Sequence, residues 1–223
     1  MRGSIGLMAF ALLLGAASAG AQDAGVIDRV LAVVGGQVVT LSDARAVLEF
    51  KLVEPRRGVD PIAEALDYLV NRQLMLGEVD RYSAPSPGAA ALSQRMDAVR
   101  ARFADAVAYE RALARTALTD TRLRDLVGDN IRIESYLEQR FSAAAQPTLE
   151  EVERYYLDHR ADFTRSGQAL PLAEVQAEAF ARVSAERRNF LIADWLDRLR
   201  RRAAITDLYR SASVDRQSLT FNR

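Results

Sequence analysis

Cysteine is absent from the 223 residues and histidine occurs once, as His159. The first absence excludes thiol nucleophiles, disulfides, iron–sulfur clusters and cysteine-based zinc sites. The second excludes a multi-histidine metal centre and leaves a Ser-His-Asp triad a single candidate base. Lysine also occurs once, as Lys51, against 29 arginines, a bias spread evenly along the chain. Basic and acidic residues balance at 30 each, so there is no global attraction for nucleic acid. Walker, G-x-G-x-x-G and G-x-S-x-G motifs are missing, which removes the usual phosphate cradles and the serine nucleophile elbow. Aromatics are few, at 7%. What is abundant is alanine, with 38 residues, and alanine has the best intrinsic helix propensity. With 49% apolar and 27% charged residues, the composition is that of a folded, mainly helical protein.

The one long apolar run lies at the start. Arg2 precedes Leu7, Met8, Ala9, Phe10, Ala11, Leu12, Leu13 and Leu14, and small residues lead to Ala19, Gly20 and Ala21. This is the order of a secretory signal peptide with cleavage expected after Ala21. The run is shorter than the ~20 apolar residues of a membrane span, so a retained anchor is the weaker reading. No membrane insertion is expected once the signal has been removed, and no other stretch is apolar enough to span.

The rest reads as a hairpin followed by helices. Two β-branched runs, residues 26–34 and 37–40, flank Gly35-Gly36, a strong hairpin signal. Thr40 and Asp43 have capping-box spacing, with Ser42 a competing cap, for a helix to about residue 53. Asp60-Pro61 starts a helix to about Arg81. Ile62, Leu66, Leu69, Val70, Leu74 and Leu76 form one apolar face of it, and Tyr68, Met75 and Val79 a second; such a helix is either sandwiched or offers one side to a partner. Helices are further expected over residues 89–106, 108–118 and from Thr119 or Asp120 to about Phe141. The last carries Leu123, Leu126, Ile133, Leu137 and Phe141 on one face. Thr148 and Glu151 form a second capping box for a helix with Leu149, Val152 and Tyr156 in its stripe. Residues 162–168 read as a loop. Pro171 opens a helix to about Arg202, with Phe180, Val183, Phe190, Leu191, Trp195 and Leu199 as its apolar contacts. Residues 205–209 are a candidate strand, and residues 211–223 a loose polar tail. The expected fold is mostly α, with a small N-terminal β-hairpin joined by that short C-terminal strand.

Candidate chemistry is sparse. His159 follows Asp158 directly, which places the two on different helix faces and denies the imidazole a positioned partner. Glu150-Glu151 is explained by helix-start electrostatics. Arg198, Arg200, Arg201 and Arg202 sit where the helix dipole favours positive charge, although such a run can also touch anionic lipid or nucleic acid. No cofactor or metal site is expected.

Residues 27–43 (IDRVLAVVGGQVVTLSD) and 66–76 (LDYLVNRQLML) resemble the N-terminal module of the SurA-type periplasmic chaperones (survival protein A). Residues 150–163 resemble the run that leads from that module into a parvulin-type prolyl isomerase domain. Residues 170–175 and the helix through Trp195 to Ile205 resemble the segment after the last such domain. The resemblance spans about residues 26–209. It departs from the family in one respect: about six residues join flanks that in the family enclose one or two isomerase domains, each of roughly 90 residues. No isomerase residue is therefore carried over, and no catalysis is expected. The resemblance implies a single chaperone domain over residues 22–210, its helix 171–202 packed back on it. It implies a periplasmic, ATP-independent binder of unfolded or nascent exported proteins, outer-membrane protein precursors among them. A residual isomerase and a helical scaffold of an envelope complex are the alternatives. Adaptable Met and aromatic side chains suit an unselective cradle, so Tyr68, Met75, Val79, Met96, Phe103, Tyr109 and Tyr136 are the candidate client contacts. Each also has the ordinary reading of a core residue.

Overall fold

The computed structural model describes residues 28–165 and 167–210; the expected signal peptide, the start at Gln22 and the polar tail lie outside the described residues. Strands β1 (Val30–Val34) and β2 (Gln37–Thr40) form the expected antiparallel hairpin. Its turn is Gly35-Gly36, at φ +56° and +86°, the left-handed pair that a tight hairpin demands. A two-stranded hairpin is marginal by itself. The last strand, β5 (Ile205–Asp207), completes a three-stranded sheet of order β2-β1-β5, pairing Ala32 with Asp207 and Val34 with Ile205.

Helix α1 (Leu41–Glu49) opens on the Thr40–Asp43 capping box: the Asp43 amide donates to Thr40 Oγ1 at 3.2 Å and the Thr40 amide to Asp43 Oδ2 at 2.9 Å. Ser42 is not the cap; its amide donates to Asp28 Oδ1. The helix stops at Glu49 rather than near residue 53, because Lys51 turns left-handed at φ 50°. The Lys51 amide then donates to the Leu48 carbonyl and the Leu52 amide to the Val47 carbonyl. This is a Schellman ending without its usual glycine, hence invisible to a search for breakers. Ser83 and Ala117 end α2 and α4 with the same hydrogen-bond pattern, at φ 50° and 52°.

Helix α2 (Pro61–Arg81) is the hub. Leu66, Leu69 and Val70 pack with Leu31, Ala32, Val34 and Val47 from the sheet and α1. Leu76 and Val79 pack on the other side with Ile133, Tyr136, Phe141, Trp195 and Leu199. The first face thus has cover, and Leu76, expected on it, instead joins Val79 on the other side. Tyr68 and Met75 of the second face stay half-buried, so the sandwich reading describes most of the helix but not these two positions. Helix α3 (Ala89–Arg100) stops six residues before its expected end, since Asp105 takes extended backbone and caps α4 (Ala106–Thr116) through the Ala108 amide. Phe50, Phe103 and Tyr109 meet edge-to-face there, 5.6–6.0 Å apart. Helix α5 (Asp120–Phe141) is capped by Thr119, the first of the two expected candidates, whose Oγ1 accepts from the Arg122 amide at 3.1 Å.

Helix α6 (Leu149–Asp158) has the second capping box, but Leu149 is 70% exposed and leaves the apolar stripe to Val152 and Tyr156. Where a loop was expected, a short hairpin forms from β3 (Thr164–Arg165) and β4 (Gln168–Ala169). Helix α7 (Leu172–Arg202) has 31 residues and a length of about 46 Å. Its first turns join Val152, Tyr156 and Phe163 in a small separate core through Val175 and Ala179. Its last turns enter the main body through Trp195 and Leu199. Two expected contacts are not made: Phe180 is 37% and Phe190 is 70% exposed. Leu191, Trp195 and Leu199, four residues apart, already fill the inward stripe, which turns Phe190 outward.

Candidate functional site: a groove between three helices

A groove of about 260 Å³ opens between the α1–α2 connection, α2, α3 and α5. The α2 register places Tyr68, Arg72 and Met75 along it at helical spacings of four and three. Leu52, Val99, Val127 and Ile133 supply apolar wall, and Arg95, Arg102, Lys51 and Glu134 the rim. Its volume is below the ~300 Å³ at which small-molecule pockets begin; it has room for one or two side chains of a polymer.

The floor is a hydrogen-bonded chain. Arg72 is buried, and its Nε donates to Asn130 Oδ1 at 2.9 Å while Nη2 donates to Asp129 Oδ2 at 2.9 Å and the Leu126 carbonyl at 3.3 Å. Asn130 Nδ2 donates to Tyr68 Oη at 2.9 Å. Burial pushes the Tyr68 phenol above its ordinary pKa, against the opposing effects of Asn130 and the Arg72 charge. The phenol stays protonated, with its O–H available as a donor. At the rim, Arg95 holds Glu134 in a two-pronged pair at 2.8 and 2.7 Å.

Of the seven candidate contacts, the structure brings Tyr68 and Met75 together in this groove. Phe103 is half-buried at a separate concavity with Arg100, Tyr109 and Asp120. Val79 and Met96 are fully buried, and Tyr109 and Tyr136 are 5% and 6% exposed; these four are core residues. Tyr109 also donates to Asp120 at 2.6 Å, and burial together with that carboxylate pushes its phenol up to about 12. The remaining wall residues and the Arg72–Asp129–Asn130 floor carry no sequence signal, since the partners lie more than fifty residues apart.

A second, shallower concavity lies between α6 and α7, where Tyr155, Val183 and the outward Phe190 sit among Glu151, Arg154, Asp158, Glu186 and Arg187. Leu157, 60% exposed, is on α6 as well. Sequence reasoning gave Phe190 and Val183 to the core; the stripe spacing noted above is the signal that could have turned Phe190 outward. His159 caps the end of α6 and stacks on Tyr155 at 4.1 Å, a structural placement. In the C-terminal arginine run, Arg198 pairs with Asp194, and Arg200 donates to Asn71 and the Asp67 carboxylate. Among the described residues no group of three or more carboxylates and histidines is placed to hold a metal ion. None of the described helices is long and apolar enough to cross a membrane.

By sequence, no family model and no curated protein matches the chain. By structure it is similar to a solved chain from the human pathogen Campylobacter jejuni. That chain belongs to work on the virulence factor PEB4 and the periplasmic protein Cj1289, described as two structurally related SurA-like chaperones. The superposition has a TM-score of 0.50 at 12% identity and covers 81% of this chain and 99% of the other. A hairpin paired with the last described strand, a hub helix and a long returning helix compose a mostly α fold, and that fold is similar to the one solved for this SurA-like chaperone chain.

Proposed function

We propose that the chain is a periplasmic, ATP-independent chaperone that holds unfolded exported polypeptides, outer-membrane protein precursors among them. The observation that carries this reading is the groove in which Tyr68 and Met75 lie half-buried over a hydrogen-bonded floor. A methionine adapts to many side-chain shapes, and a phenol held protonated offers a hydrogen bond to any backbone carbonyl. Such a site grips short apolar segments without demanding one sequence. The exposed Phe190 and Leu157 of the α6–α7 arm give a long client a second foothold, and two weak sites on one polymer bind far better than either alone. The described passage from α6 to α7 is a short hairpin, which supports binding without an isomerase domain at that point.

The test is suppression of light scattering when a urea-unfolded outer-membrane β-barrel protein is diluted into nucleotide-free buffer with the purified chain. Near-stoichiometric chain is expected to keep the client dispersed, and Met75→Glu to weaken the effect several-fold without lowering the chain's own Tm by more than a few degrees. Aggregation at the rate of the buffer control would overturn the chaperone reading in favour of a scaffold.

A further inference from the structure

The rim of the groove is not electrically neutral. Arg72 and Arg95 are each matched there by a carboxylate, Asp129 and Glu134. Lys51 and Arg102 are not: among the described residues neither has a carboxylate within ion-pair distance. The two are neighbours, because Arg102 Nη1 donates to the backbone carbonyls of Phe50 at 3.0 Å and Lys51 at 2.5 Å. Those bonds hold the guanidinium at the turn after α1 and leave its charge uncancelled. Both side chains are exposed. In a chain whose formal charges sum to zero, two cations without a carboxylate partner thus line one apolar groove, the guanidinium of one bonded to the backbone of the other.

Resting on the reading of this groove as a client site, we infer that it selects extended segments in which an apolar side chain is flanked by an acidic one. The apolar residue enters between Leu52, Met75 and Val99, and the neighbouring carboxylate meets Lys51 and Arg102. Segments flanked by lysine or arginine meet the same two cations and are disfavoured. Charge around the anchor, rather than the anchor itself, then sorts clients, because the groove takes any apolar side chain of suitable size.

The probes are three fluorescein-labelled nonapeptides that share a central leucine and differ only at the residues either side of it: aspartate, asparagine or lysine. Anisotropy titration with the purified chain in 50 mM salt is expected to rank them aspartate, asparagine, lysine. Adjacent members should differ by roughly fivefold, as two exposed charge contacts allow. In 500 mM salt the spread should shrink below twofold, since these charges are in solvent. Lys51→Gly removes one cation at a left-handed position that glycine accepts more readily, so its fold should be retained, as a melting curve would verify. The aspartate preference should fall in that variant and return in Lys51→Arg. Equal affinity for the three peptides overturns the acidic selectivity and leaves the chaperone groove standing. Absence of binding by all three overturns the groove itself, and with it both readings.

Discussion

Tyr209, near the end of the described chain, donates its phenolic hydrogen to Asp60 Oδ2 at 2.6 Å, while Asp60 Oδ1 caps the hub helix by accepting from the Ile62 amide at 2.9 Å. One carboxylate therefore joins the start of α2 to the segment after β5. Arg210 and Arg200 extend the clamp to Asp67, at 2.7 and 3.4 Å. The Arg29 guanidinium lies 5.6 Å from the centre of the Tyr209 ring.

The clamp has a pH signature. The hydrogen bond from Tyr209 is the main cause holding the Asp60 carboxyl below its usual 3.8. At Asp67, burial pushes the carboxyl up, but the Arg210 hydrogen bond and the Arg210 and Arg200 charges outweigh it and leave the net shift downward. A carboxyl lowered on folding contributes stability above its unfolded pKa and loses it as pH falls through the folded one. Tyr209→Phe is expected to lower Tm at pH 7, and the gap from wild type to narrow as pH falls below about 4. A constant gap from pH 7 to pH 2.5 in thermal melts would contradict the assignment.

We expect the returning helix to be indispensable to the body. Truncation after Gln168 would uncover Leu76, Val79, Tyr136 and Phe141, which pack with Trp195 and Leu199. At ~1.5–3 kcal/mol per large side chain, that loss rivals a whole stability of ~5–15 kcal/mol. The truncated chain should show no cooperative melt by circular dichroism. A cooperative transition near the full-length Tm would make the two parts independent units.

Arg72 should behave as a buried structural cation. Arg72→Met leaves Asp129 and Asn130 without their main partner, at a cost of about 2–4 kcal/mol. Urea denaturation measures it; a change under 1 kcal/mol would mean that solvent readily replaces the guanidinium.

At Ala117, which ends α4 at φ 52°, glycine should be the better residue. Relief of left-handed strain outweighs the added freedom of the unfolded chain, so Ala117→Gly should stabilise by about 0.5–1 kcal/mol, read as a higher urea midpoint at unchanged slope.

No prolyl isomerase activity is expected above background in a proline-limited refolding assay, since only the β3–β4 hairpin and its flanks lie between the 3₁₀ turn Arg160–Asp162 and α7. A catalysed rate that survives rigorous purification would defeat a binding-only mechanism.

Much of the fold is legible because its boundaries are written locally. Gly35-Gly36, the Thr40 and Thr148 capping boxes, Asp60-Pro61 and Thr119 each mark an element edge through contacts of a few residues. The helix ends at Glu49 and Arg100 are missed where tertiary packing decides: Lys51 adopts a glycine-like turn, and Asp105 starts α4 inside an alanine-rich run. The groove is legible only at Tyr68 and Met75, whose two-sided helix announces a second face. Its floor joins residues that no spacing rule connects, and its uncancelled cations, Lys51 and Arg102, meet only because the turn after α1 and the end of α3 pack together.

The sheet is closed by its most distant members: β1 is flanked by β2, which follows at once, and by β5, the last of the described strands. A chain emerging from a ribosome or a translocation channel N-terminus first can form β1, β2 and the early helices while the third strand is still being delivered. Trp195 and the Tyr209 clamp arrive in the same final stretch. Until the last turn of α7 and the strand behind it are released, a sheet edge and a hydrophobic flank stay uncovered, and the fold closes only then. Folding rate should track the arrival of that C-terminal segment, as expected where pairing of high sequence separation closes the structure.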